Sequence, residues 1–95
     1  MQYKVENFYY KWDENKDNNL IQTRNISFID IIYAIKNKMV LEIIDNPSGN
    51  FNNQKCFVIN IDNYAYLVPF IISGNDIFLK TIYPSRKFSS IYNLK

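Results

Sequence analysis

From Met39 to Tyr83 the chain alternates strand-like and turn-like segments, and this stretch constrains the fold more than any other. Met39 to Ile44 is apolar and β-branched, and Asn46-Pro47-Ser48-Gly49-Asn50 is dense in turn-forming residues. Lys55 to Ile61 follows, with Phe57, Ile59 and Ile61 on one face. Asp62-Asn63 fits a two-residue hairpin loop, because both residue types tolerate positive φ. Tyr64 to Ile72 then returns, apolar on both faces as a central strand is. Pro69 within it argues either against a central place or for a local bulge. Ser73-Gly74-Asn75-Asp76 turns the chain again, and Ile77 to Tyr83 forms the last strand.

Helices flank this meander. A short opening strand over Phe8 to Lys11 is followed by a polar stretch from Asp13 to about Arg24, in which only Leu20 and Ile21 are apolar. That pattern suits a surface helix with one small anchor, capped by Asp13. The next helix is better specified. Ser27 and Asp30 form a capping box with Asp in the place of Glu, and Ile26 and Ile31 stand at the positions of a hydrophobic staple. Phe28, Ile31, Ile32 and Ile35 share one face, and Lys36 and Lys38 fall near the C-terminus, where the helix dipole favours cations. At the end of the chain Ser85 can cap a final helix with Phe88, Ile91 and Tyr92 inward at i, i+3, i+4 spacing. The order β-α-α-β-β-β-β-α predicts an α+β fold: a small antiparallel sheet with two N-terminal helices and a short C-terminal helix. No repeat or linker interrupts it, so residues 1–95 read as one domain.

What is scarce narrows the chemistry. The chain has no His, one Cys and two Gly. It therefore offers no imidazole acid or base, no internal disulfide, no credible structural zinc ligand set, and no glycine-rich phosphate loop. Catalysis would run on carboxylates, Lys, Arg, Tyr, Ser or backbone amides, and no metal or cofactor is called for. The first fifteen residues mix charges with aromatics and hold no apolar signal-peptide core. The longest apolar run, Ala65 to Ile72, is broken by Pro69 and too short for a membrane span. The lone thiol fits a reducing compartment, so the expected location is the cytoplasm, away from membranes.

Charge is unevenly placed. Residues 1–76 carry seven Lys and Arg against nine Asp and Glu, whereas residues 77–95 carry Lys80, Arg86, Lys87 and Lys95 and no acid. A basic, tyrosine-bearing end on a neutral body has the composition of a phosphate site, although a Lys-rich terminal helix also serves solubility alone. Lys80 is expected on one strand face with Phe78 and Ile82. Arg86 and Lys87 fall in the first turn of a helix, where the dipole disfavours cations and favours a bound anion.

Certain residues are also familiar in series. Trp12-Asp13-Glu14-Asn15-Lys16, Asn19 and Arg24-Asn25-Ile26-Ser27-Phe28 resemble the opening of BrnT-type toxins. Leu67-Val68-Pro69-Phe70 and the run from Phe78 to Lys87 resemble the closing half of that family's close relatives. The resemblance runs from about Tyr9 to Tyr92. It departs where the family's His-Gly precedes Ser-Phe, here Asn25-Ile26, and in a tail thinned to one Arg. It implies a RelE-like fold and the toxin role in a type II toxin–antitoxin pair. Its expected partner is a ribbon-helix-helix antitoxin through which alone operator DNA is bound. It also places the family's basic site on Lys80, Arg86 and Lys87.

An RNA-cleaving toxin needs neither a metal nor an enzyme nucleophile, because RNA brings its own 2′-OH. Arg86 suits stabilisation of charge on the phosphoryl oxygens. Lys80 suits a second cation or a base, Tyr83 or Tyr92 a proton donor or a stacking ring, and Arg24 the positive rim. Each tyrosine has a plainer reading. Tyr92 shares the face of Phe88 and Ile91, and Tyr83 is a strand-end aromatic. A competing reading keeps the fold as a catalytically weak partner of antitoxin or RNA.

Overall fold

The computed structural model describes residues 2–45 and 54–94. Its elements are β1 (Gln2–Val5), β2 (Phe8–Lys11), α1 (Glu14–Arg24), α2 (Phe28–Lys36), β3 (Val40–Asp45), β4 (Gln54–Ile61), β5 (Tyr64–Ser73), β6 (Asp76–Leu79), β7 (Tyr83–Pro84) and α3 (Arg86–Ile91). The mixed α+β class and the helices before and after the meander form as the patterns predict. The turn expected at 46–50 lies outside the described residues.

Local chemistry explains the elements that match. Asp13 caps α1 by accepting from the Lys16 backbone N–H, and Asn25 ends it in the left-handed region at φ 55°. Both halves of the Ser27/Asp30 capping box are made. Asp17 on α1 adds a feature the sequence did not suggest: its carboxylate accepts from the Phe28 N–H at 2.8 Å and from the Ser27 hydroxyl. The first turn of α2 is thereby tied to α1. Asp62 and Asn63 both take positive φ, as a tight hairpin between β4 and β5 requires.

The sheet is larger than expected and is not wholly antiparallel. Its order is β1-β2-β6-β5-β4-β3, with β7 pairing β5 beside β6. β1 was not foreseen because its Gln-Tyr-Lys-Val sequence is that of an exposed edge strand, held only by β2. β2 runs parallel to β6, so the first hairpin docks on a strand that lies across most of the chain from it. No local pattern reports such a pairing.

The expected last strand is broken. β6 ends at Leu79, and only Tyr83 and Pro84 pair again, with Leu67 and Tyr66. Pro69 explains the break. It is central, buried, and opposite Cys56 of β4. Its carbonyl accepts from the Lys80 N–H at 2.8 Å, so its donor-less nitrogen faces the same edge of β5. On that edge regular pairing stops between β6 and β7.

Strand alternation divides the core in two. Phe57, Ile59, Val68, Phe70, Ile77, Leu79 and Tyr10 face α1 and α2, where Trp12, Leu20, Phe28, Ile31 and Ile32 cover them. Cys56, Val58, Ala65 and Leu67 face the other way, against Phe88, Tyr92 and Leu94. A bulge between Val40 and Glu42 turns both Leu41 and Glu42 towards α3. α3 is rotated from the expected stripe. Ile91 is 57% exposed, while Ser89 is buried and its Oγ accepts from the Ala65 N–H at 2.8 Å.

Because Asp17 holds the start of α2 through charge-assisted bonds, Asp17→Ala should lower stability by about 1–3 kcal/mol. Urea denaturation would show it as a lower midpoint with an unchanged slope.

Candidate functional site

Lys80, Tyr83, Arg86, Lys87 and Tyr92 all lie on the α3 side of the sheet, strung along one edge of β5. The Lys80 N–H binds the Pro69 carbonyl and the Ser85 N–H binds the Ala65 carbonyl. Those anchors are four residues apart on β5, so the backbones of Lys80 and of Ser85, which precedes Arg86, are held about 13 Å apart. Tyr83 sits between them.

The cations keep their heads in water. Lys80, Arg86 and Lys87 are exposed, and none joins an ion pair among the described residues. The Lys80 ammonium lies 5.1 Å from the Phe78 ring centre and that of Lys87 lies 5.9 Å from Phe88. The strand face expected to unite Phe78, Lys80 and Ile82 does not form. Phe78 and Lys80 are exposed on the α3 side, whereas Ile82, beyond the end of β6, is buried towards α1 and α2. At α3, Ser85 already fills one donor by accepting from the Phe88 N–H.

Arg24 takes a different place from the rim assigned to it. Its guanidinium donates to the Ile82 carbonyl from the α1 side. It therefore clamps the irregular segment between β6 and β7.

The tyrosines are engaged. Tyr83 packs in the second core with Cys56, and burial, with the Cys56 thiol nearby, raises its hydroxyl pKa. Tyr92 donates its hydroxyl to the Glu42 carboxylate, and that bond, then burial, holds its proton more firmly than in water. Neither is a base at neutral pH. Burial pushes the Cys56 thiol to about 11, so it is no nucleophile either.

What the site can do follows from what is free. Arg86 offers a planar fork for phosphate oxygens, and Lys80 and Lys87 offer mobile point charges. A second set of groups, exposed Lys4 and Phe78 with half-buried Tyr9 and Lys11, has no signature in the sequence. It is assembled only by the β2–β6 pairing.

Since Cys56 releases its proton near 11 when folded and near 9.0 when unfolded, its contribution to stability is complete below pH 9. That contribution is lost as pH rises through 11. The buried tyrosines act in the same direction. The melting temperature should fall between those pH values, and Cys56→Ala should make the fall shallower; an equally steep fall would contradict it. Comparison with protein-family models, with curated proteins and with solved structures finds no match for this chain.

Proposed function

We propose that this chain is an RNA-directed protein of the BrnT-type toxin kind, built on a RelE-like arrangement, that acts on RNA without a metal. The observation that carries the reading is the set of exposed cations Lys80, Arg86 and Lys87 along one edge of β5, none of which joins an ion pair among the described residues. Helices on one sheet face and a short C-terminal helix on the other are in keeping with that architecture. Arg86 binds the scissile phosphate and stabilises the charge that builds on its oxygens, with Lys80 as the second cation. The RNA 2′-oxygen attacks phosphorus and the bond to the 5′-oxygen breaks. A 2′,3′-cyclic phosphate forms, the 2′ proton passes to solvent, and the leaving oxygen takes a proton from water.

The engagement of both tyrosines favours a second reading, in which the chain binds RNA or its antitoxin and cuts little. A cleavage assay decides between the two. Pure protein should cut RNA in excess chelator and leave a 2′-deoxy substrate intact. Arg86→Ala should cut about 100-fold more slowly, by analogy with loss of one oxyanion donor. Arg86→Lys should recover only part of the rate, because the bidentate geometry is gone. Loss of activity in chelator, or cutting of the deoxy substrate, would overturn the mechanism. Binding without cleavage would establish the second reading.

A toxin's exposed cations need a cover in the resting cell. The partner in this reading is a ribbon-helix-helix antitoxin, a segment of which packs beside Lys80 and Arg86. In this reading operator DNA is read by that partner, as the BrnT-type resemblance implies. The two should co-purify, and the complex should shift operator DNA that the chain alone leaves unshifted. Equal binding by the isolated chain would refute this division of roles.

A further inference from the structure

The sheet face that carries α3 is only half covered. α3 packs over β3, β4 and the start of β5, while the β1–β2–β6 side of that face stands open. Register decides which side chains stand there. Lys4 pairs with Tyr9, Tyr9 with Asp76, and Lys11 with Phe78, so these five project together, and Lys80 follows past the end of β6. Contacts agree: the Lys4 ammonium lies 5.5 Å from the Tyr9 ring centre, that of Lys80 lies 5.1 Å from Phe78, and Lys11 meets Asp76 at 3.2 Å. Phe78 is 39% exposed, although Leu79 beside it is buried.

Two rings on adjacent strands, two positions apart in the parallel register, are edged by three ammonium groups. Asp76, the acid on this face, is engaged by Lys11. Charge complementarity calls for a polyanion, and the rings narrow the choice. An acidic peptide would satisfy the lysines and leave the rings unused, whereas an apolar protein surface would have to desolvate lysines that interface cores exclude. A duplex hides its base faces. A single strand presents both charges and bases, which stack on aromatic rings while phosphates meet the cations.

We infer that the open β1–β2–β6 face binds single-stranded RNA, with neighbouring bases on Tyr9 and Phe78 and the backbone along Lys4, Lys11 and Lys80. Lys80 joins this track to the Arg86 end of the molecule. The inference deepens the RNA reading above and rests on it for the choice of RNA, since stacking alone does not read the sugar.

The test is fluorescence anisotropy with a labelled, short, mixed-sequence single-stranded RNA and its duplex form. Tyr9→Leu and Phe78→Leu keep apolar bulk but remove the ring. Each should weaken single-strand binding by about tenfold or more, with the melting temperature retained. Lys4→Gln should lower the slope of log affinity against log salt by about 0.7. Phe78→Trp should retain binding, and its fluorescence should be quenched by RNA. Trp12 is 4% exposed, so a quenched signal belongs to position 78. Wild-type binding by both leucine variants, duplex binding as tight as single-strand binding, or an unquenched Trp would each overturn the inference. Should a leucine variant fail to fold, the quenching decides. RNA bound through Tyr9 and Phe78 but never cut would sink the nuclease reading and leave this one standing. Undiminished cutting by both leucine variants would do the reverse.

Discussion

β5 is hydrogen-bonded along both edges and buried on both faces, and the placement of the other elements depends on it. β4 lines one edge from Tyr64 to Ile71. The other edge is shared, with β7 near its start and β6 near its finish. Pro69 lies between them and has no N–H to offer, so the chain crosses from one partner to the other where a ladder bond would be missing in any case. The irregular segment that results drops Ile82 into the main core and leaves its carbonyl to Arg24. One imino acid in a central strand thus sets the separation of Lys80 from Arg86.

Sequence made the locally determined parts legible. The α2 boundaries follow from Ser27, Asp30 and the Ile26–Ile31 staple, all within a few residues of one another. The β4–β5 hairpin follows from Asp62-Asn63. The parts that stayed hidden are those fixed by distant partners. β1 has the polar sequence of an edge strand and exists because β2 pairs with it. The parallel register of β2 on β6 has no signature in either segment. The place of Ile82 differs from the pattern because alternation does not carry from Lys80 through Thr81, past a strand end that only β5 imposes.

The candidate site divides by the same physics. A guanidinium or ammonium loses too much solvation to be drawn inward without a partner, so Arg86, Lys80 and Lys87 stay at the surface whatever they bind. A tyrosine has a hydrocarbon body and one polar atom, which the fold can use as packing material. Tyr83 fills the second core, and Tyr92 spans from α3 to the bulged Glu42 of β3. The cations were therefore identifiable from type alone. The tyrosines were not, since their role depends on which sheet face α3 covers.

The parallel pairing of β2 with β6 also bears on how the protein comes into being at the ribosome. The β1–β2 hairpin is made first, but its sheet neighbour is made after both long helices and three further strands. A two-stranded hairpin is marginal in water by itself. Trp12 and Tyr10 must likewise wait for Ile77 and Leu79 before their core can close. Most of the nascent chain therefore emerges without a stable partner for its opening segment, and the loop to be closed spans about two thirds of the molecule. Such a chain acquires its structure late and as a unit, with no self-sufficient N-terminal half formed on the way.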